Sequence, residues 1–284
     1  MNNQLRRITF GSFFGAAFFA LILTALPAIP AASPQKNAQP VLADILKKAA
    51  EYCRKLESAS LYYVCEEEIS EKIYVETRPA TGTASVPERR FNTWVYDYQL
   101  IRGGPTLDER RKLLKKNGQA MNTPDAQLET RRFSHKFVVF GPVGLLGGGR
   151  QGGLLYELIK EERINRATAY VVDVKPGASA PPDALYGRVW LKADDSSVLK
   201  IQWDQRSVEN FPEIERAAAG LDAEPQVLFV SEYAFEKQGL RFPSRYIVEE
   251  RYVRKNSFVP LTLSVTTVLY KNYRFFTVEV DIKE

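Results

Sequence analysis

The chain has 284 residues, of which 45% are hydrophobic and 26% are charged, and this composition excludes an intrinsically disordered protein. Its formal net charge is +5, from 39 Lys and Arg against 34 Asp and Glu, which is close to balance. The basic clusters at 109–116 and 131–136 are therefore predicted to be solvated faces, and no nucleic-acid partner is expected.

The first 32 residues have the pattern of a secretory signal peptide. Arg6 and Arg7 precede an uncharged run at 8–26, and small residues follow, so we expect cleavage near Ala31 or Ala32. The alternative is an uncleaved anchor in the inner membrane, because the run is nearly long enough to span a bilayer. Both alternatives place the remaining chain outside the cytoplasm, in the periplasm or facing it.

A polar lead-in at 33–40 precedes a domain that we expect to cover residues 41–284. Apolar residues recur at helical spacing over 41–57, and the next segment alternates as a strand over 61–76. Cys53 and Cys65 fall on the apolar sides of these two elements. In an oxidising compartment such a pair predicts a structural disulfide.

The rest of the chain is predominantly β. Most predicted strands have one apolar and one polar face, as is typical of antiparallel sheets with one solvated side. The predicted strands are 61–76, 90–102, 128–140, 153–163, 168–175, 186–193, 197–206, 226–237, 240–254, 261–271 and 273–282. A Thr106–Glu109 capping box predicts a helix at 106–118, and Pro212 and Gly220 bound another. These patterns predict a mainly β (α+β) domain, with one strongly curved antiparallel sheet and helices on its apolar face.

A glycine pattern raises the question of a nucleotide site. Gly147-x-Gly149-x-x-Gly152 matches the dinucleotide-binding fingerprint. The preceding strand ends too early, however, and the following segment alternates as a strand and leads into hairpins. We therefore predict no nucleotide cofactor, and a flexible apolar loop in place of a phosphate-binding turn. Its residues Val143, Leu145 and Leu146 are candidates for a flap over an apolar opening.

Residues with catalytic chemistry are sparse. His135 is the single histidine and is assigned a structural or surface role. The GxSxG, HExxH and CxxC motifs do not occur, so we predict no catalytic residue, no metal and no enzyme activity. Same-face Glu66 and Glu68 are expected to be solvated. An extracytoplasmic hydrolase is the least favoured alternative.

Three stretches carry a resemblance to a known family: "GRVWLKADDSSVLKIQWD", "GLRFPSRY" and the C-terminal Tyr270, Tyr273 and Phe276. In this order they resemble the outer-membrane lipoprotein-sorting superfamily, which comprises LolA/LolB-type carriers and related periplasmic sensor domains. The resemblance implies an incomplete β-barrel with helices on its concave face and space for acyl chains.

By this resemblance we expect a non-enzymatic periplasmic binding protein for acyl chains, lipoproteins or another amphiphilic ligand. The alternative is an envelope sensor or scaffold domain that binds a membrane-associated protein partner. Inward-facing aromatic residues are either plain core or the lining of a ligand cavity. The cavity candidates are Trp203, Phe229, Tyr233, Phe235, Phe242 and Tyr246.

Overall fold

The computed structural model describes residues 42–76, 87–103, 106–164, 166–181, 184–255 and 259–276. The predicted signal peptide and lead-in lie outside these ranges. No helix within the described ranges is long and apolar enough to cross a membrane.

Within these ranges, eleven antiparallel strands form one open sheet, and a further two strands form a separate ribbon. The strands are β1 (Tyr63–Glu76), β2 (Pro87–Gly103), β3 (Thr106–Lys116), β4 (Gln119–Thr123), β5 (Leu154–Ile164), β6 (Ala167–Pro176), β7 (Gly187–Lys192), β8 (Val198–Trp203), β9 (Ala223–Glu232), β10 (Phe235–Lys237), β11 (Leu240–Phe242), β12 (Arg245–Arg254) and β13 (Leu261–Phe275). The order across the sheet is β4-β3-β2-β1-β13-β12-β9-β8-β7-β6-β5, and β10 pairs with β11 in the ribbon. The predicted fold class, a single antiparallel sheet that forms an incomplete barrel, is confirmed.

In the described part of the chain, four α-helices accompany the sheet: α1 (Leu42–Ala59), α2 (Gly141–Leu146), α3 (Gly148–Gln151) and α4 (Phe211–Gly220). Of the apolar stripe predicted for α1, Ala49, Cys53 and Leu56 are buried at 1% exposure or less, and Leu42 and Leu46 are half-buried. These residues join the side chains of the sheet's inner face in one hydrophobic cluster. Burial of this stripe, rather than helix propensity, explains why α1 forms here.

The predicted helix at 106–118 is wrong, because this segment is strand β3 and pairs with β2. Its inner face carries Leu107, Glu109, Arg111 and Leu113, so the strand alternation is hidden by two charged residues. Those two charges have partners inside the protein, which makes their burial tolerable.

Two further local predictions are corrected. The predicted strand at 128–140 is an irregular segment that ends in a short 3-10 helix at Val138–Phe140. The predicted glycine loop forms the short helices α2 and α3. The nucleotide-fold alternative is excluded among the described strands, since every pair is antiparallel.

Candidate functional site

A cavity of about 550 Å³ lies between the inner face of strands β8, β9 and β12 and the segments that cover them. One covering segment is the crossing segment, residues 129–140, and helices α2 and α3 follow it in the chain. The walls are mostly apolar, and their side chains include Phe133, Phe137, Val138, Phe140, Leu154, Leu185, Trp203, Val208, Phe229, Tyr246 and Val248. A concave site of this size and lining is typical of small-molecule binding.

The structure brings three of the six predicted cavity residues together. Trp203, Phe229 and Tyr246 line the cavity, and Phe229 lies between the other two rings at centroid distances of 5.6 and 5.4 Å. The indole N–H of Trp203 donates to Ser231 Oγ at 2.9 Å. That hydrogen bond satisfies the buried N–H and orients the indole ring against the cavity.

The other three predicted residues lie elsewhere in the core. The Tyr233 hydroxyl donates to the Val138 carbonyl at 2.9 Å and lies behind the cavity wall. Phe235 and Phe242 belong to an aromatic cluster with Tyr63, at the end of the sheet where β10 and β11 pair. Alternation placed all three on an inner face, but it does not distinguish the cavity wall from packed core.

The three predicted flap residues all lie in helix α2. Leu145 and Leu146 are fully buried, and Val143 is half-buried against the hydrophobic cluster. Gly144, on the same helix, lines the cavity instead. The structure thus places the helix backbone, rather than these three side chains, at the cavity, and movement of the segment stays a prediction.

Buried carboxylates hold the crossing segment onto the sheet. Glu67 on β1 accepts from Arg111 Nε at 2.6 Å and contacts His135 Nε2 at 2.8 Å. Glu109 on β3 accepts from the Phe137 backbone N–H at 2.6 Å and from Arg111 Nη1 at 3.1 Å. Burial alone would raise the pKa of Glu67, but His135 and Arg111 outweigh burial and lower it to about 2.

A second pair of carboxylates anchors the start of the same segment. Glu71 accepts from the backbone N–H groups of Arg131 and Arg132 at 2.8 and 3.0 Å. Arg132 Nε donates to Glu250 on β12 at 2.6 Å, and this hydrogen bond raises the pKa of Arg132. These bonds satisfy backbone donors that a strand partner would otherwise satisfy, which explains why the segment is irregular.

Sequence reasoning missed these buried charges. Glu67 and Glu71 share the inner face of β1 with Cys65 and Ile69, and the alternation that placed the two apolar residues inside also placed the carboxylates there.

Glu66 and Glu68 are in contact with solvent, as predicted. The Glu68 carboxylate is 46% exposed and binds Lys271, and the Glu66 carboxylate accepts from Asn272 in an exposed hydrogen bond.

The two cysteines do not form the predicted disulfide. Both are free and buried; Cys53 Sγ donates to the Pro142 carbonyl at 3.4 Å, and Cys65 interacts with the Tyr273 side chain. The turn after α1 therefore does not bring the two thiols together, although both point inward. Burial raises the pKa of Cys53 to about 12 and raises that of Cys65 further, so neither is an activated nucleophile.

The cavity also has a charged component. Lys136 and Arg150 line it and are both exposed, and neither side chain has a hydrogen-bond or ion-pair partner among the described residues. Glu209 lines it too and accepts from Ser134 Oγ at 2.9 Å. Among the described residues no group of three or more His, Cys, Asp or Glu side chains could hold a metal ion.

Comparison with known proteins yields structural similarity only. No family model matches the chain, and a search of curated proteins finds no match. The chain is similar to a DUF1329 family protein from Desulfovibrio piger, at 11% identity and a TM-score of 0.35, over 83% of this chain and 95% of that one. It is also similar to a LolA superfamily protein from Nitrosomonas europaea, at 13% identity and a TM-score of 0.32, over 84% and 94%. Scores and identities this low indicate nothing about ligand or partner.

Proposed function

We propose that this chain is a non-enzymatic binding protein for a hydrophobic or amphiphilic ligand, such as an acyl chain or a lipidated protein. The observation that carries the proposal is the cavity of about 550 Å³ with its aromatic and aliphatic walls. An apolar ligand in this cavity would bury apolar surface of its own and of the cavity wall, and each Å² of buried apolar surface favours binding by about 25 cal/mol.

The proposed location is the periplasm, in soluble or N-terminally anchored form. Support comes from the signal-like pattern at 1–32, with Arg6 and Arg7 before an uncharged run. Absence of enzyme activity is part of the same proposal. Its support is the buried, high-pKa state of both thiols and the engagement of His135 with Glu67.

Blocking the cavity tests the binding function. Gly144 lines the cavity, and a Cβ atom at this position would meet no atom within 4 Å, so Gly144→Phe should place a ring in the cavity without a clash at Cβ. We expect the variant to fold and to lose most binding of an apolar fluorescent probe and of co-purifying lipid. Gly149→Phe is the matched control, since Gly149 is equally open but lies outside the cavity.

If Gly144→Phe folds and binds the probe as well as the unmodified protein does, the cavity is not the binding site. Mass spectrometry of lipid released from the purified domain measures the same loss without a probe. A domain with neither lipid nor probe binding would contradict the whole proposal.

A protein partner is the second candidate, and one surface favours it. Strand β5 is an edge of the sheet, and its exposed side chains include Leu155 at 62% and Ile159 at 41% exposure. An open edge with apolar side chains can accept a strand from another protein. Capture of one envelope protein that survives delipidation and is lost in Ile159→Lys would favour this candidate.

A further inference from the structure

Two cationic side chains border the cavity where it meets solvent. Lys136 and Arg150 line the cavity and are exposed, whereas Trp203 and Phe229 on its wall are only 5% and 7% exposed. Neither cationic side chain has a hydrogen-bond or ion-pair partner among the described residues. The cavity therefore combines an apolar interior with two available positive charges at its rim, and an amphiphile with an anionic head group matches both features.

The backbone that carries Lys136 is held in place on both sides. The preceding residue, His135, is buried, and its Nε2 lies 2.8 Å from a carboxylate oxygen of Glu67. The following residue, Phe137, donates its backbone N–H to Glu109 at 2.6 Å. Because both neighbours are anchored to the sheet, the Lys136 side chain leaves the crossing segment from a fixed position.

The backbone next to Arg150 is anchored as well. Gln151 Nε2 donates to the Leu46 carbonyl on α1 at 3.0 Å and to the Leu146 carbonyl at the end of α2 at 2.8 Å. These bonds join α3, which carries Arg150, to two other helices. Both cations therefore extend from positioned backbone, and a head group can bind them without ordering either segment, which lowers the cost of binding.

A single carboxylate among the residues that line the cavity opposes the two cations. Glu209 is exposed and accepts from Ser134 Oγ at 2.9 Å. An anionic head group is attracted by Lys136 and Arg150 and repelled by Glu209. The predicted effects of these charges on one ligand thus differ in sign, and this difference separates a charge contact from a general effect on the fold.

We propose that the ligand is a single-chain amphiphile with an anionic head group, that Lys136 and Arg150 bind this head group at the rim of the cavity, and that the chain lies against Trp203 and Phe229. This inference rests on the proposed function and adds the ligand class to it. The volume of about 550 Å³ lies within the range for one small ligand, which favours one chain over several.

A ligand series on the unmodified protein provides the first test. Dodecanoate, monododecyl phosphate, dodecanol and dodecylammonium share one chain length and differ in head-group charge, and each competes with an apolar fluorescent probe at neutral pH, below micelle formation. The anion preference is defined as the Kd of dodecylammonium divided by that of dodecanoate. We expect it to be at least about tenfold, since the rim attracts one ligand and repels the other. The phosphate should bind at least as tightly as dodecanoate, because it carries the same sign of charge.

The ligand series separates the two proposals. An anion preference of one or less would overturn the head-group assignment, and binding of dodecanol in the same protein would leave the proposed function intact. Failure of all four ligands and of the probe would overturn the proposed function.

Ionic strength provides a second measurement on the same protein. Raising it from about 0.01 M to about 1 M shortens the screening length from about 30 Å to about 3 Å. The anion preference should then fall towards one, because its two members differ in charge and share a chain, whereas dodecanol should keep its affinity. A preference that does not change with salt would contradict a charge contact at the exposed rim.

Variants assign the preference to named side chains. Lys136→Gln and Arg150→Gln should each lower the anion preference about threefold to fivefold, and the double variant should bring it close to one. Glu209→Gln should raise the preference, since it removes the opposing charge and keeps an oxygen that can accept from Ser134. The preference is a ratio measured within each variant, so a general loss of stability does not mimic the result.

Lys47→Gln is the matched control, because Lys47 is an exposed lysine on α1 that does not line the cavity. This variant should keep the anion preference of the unmodified protein. An unchanged preference in the double variant, or a fall in Glu209→Gln, would overturn the assignment of the head group to Lys136 and Arg150.

Discussion

Individual buried charges shape the covering of this sheet. Glu67, fully buried on β1, is held ionised by Arg111 and His135 from two other parts of the chain. Removing one partner of such a cluster leaves a buried charge without a partner and strongly destabilises the fold. Replacing the whole cluster with apolar side chains of similar volume, by contrast, often changes stability little. Single-residue changes here should therefore have large effects.

The lowered pKa of Glu67 predicts acid sensitivity. Its ordinary pKa of 4.5 falls to about 2 in the folded protein, so it contributes stability that is fully present above pH 4.5 and is lost as pH falls towards 2. The loss should be on the order of 3 kcal/mol, by 1.36 kcal/mol per pKa unit. Urea unfolding at several pH values measures it, and Glu67→Gln should flatten this part of the pH profile. Glu68→Gln, at an exposed carboxylate, is the control and should leave the slope unchanged.

The two thiols predict a simple chemical result. Both are buried, free and raised in pKa, so the folded, unreduced protein should react slowly with a thiol reagent. After denaturation without reductant, titration should give two thiols per chain. A count of zero would instead establish the disulfide between Cys53 and Cys65.

Gly141 is required by close packing at the start of α2. A Cβ there would lie 2.5 Å from the Tyr233 hydroxyl and 3.0 Å from Trp203. Gly141→Ala should therefore displace buried rings and destabilise the protein by about 1–3 kcal/mol, measured as a loss in the free energy of unfolding. Gly144→Ala, on the same helix in open space, should be neutral or stabilising.

Among the elements, the crossing segment is the one held mainly by side-chain charges. Its irregular backbone follows from donors that bind Glu71 and Glu109 rather than a neighbouring strand. The sequence pattern predicted a strand there, because alternation over 128–140 is real. Which donors pair with which carboxylates depends on residues more than 20 positions away, and periodicity carries no information about that.

Loss of Arg132 should loosen this element specifically. Its guanidinium is the charged partner of fully buried Glu250, although Tyr252 and Ser264 also donate to that carboxylate. Arg132→Gln should cost about 2 kcal/mol and speed amide hydrogen exchange across the crossing segment. Arg131→Gln, at the exposed neighbouring position, should do neither; equal effects of the two variants would contradict the anchoring role of Glu250.

Other elements were predictable to different degrees. α1 and the strands β5 to β9 follow from simple apolar periodicity, and α4 from its Pro and Gly boundaries. Strand β3 was not predictable, because its capping-box sequence is typical of a helix start and two inward-facing charged residues hide its strand alternation. The sequence predicted a set of inward-facing aromatic residues as candidates for the cavity wall. Which of them line the cavity, as Trp203 and Phe229 do, and which are packed core, as Phe242 is, depends on how the crossing segment packs against the sheet.

At the scale of the whole molecule, a bound ligand should act as a stabiliser. A ligand that binds only the folded state adds about 2.7 kcal/mol at 100 times its Kd, which corresponds to a rise of about 5 °C or more in Tm for a domain of this size. Thermal unfolding with a saturating apolar ligand measures the rise. It should disappear in Gly144→Phe and persist in Gly149→Phe; a rise that survives in both would place the ligand outside the cavity.

The position of β13 has a consequence for how the chain reaches its fold. This last strand lies between β1 and β12, and Ser70 near the start of the domain pairs with Thr267 near its end. Contacts between residues so distant in sequence slow folding, because a long loop must close before they form. Until the final strand arrives, β1 and β12 both expose unpaired edges in the middle of the eventual sheet. Because the chain is synthesised from its N-terminus, these edges stay unpaired until β13 has been made, and during that interval the chain is prone to aggregation.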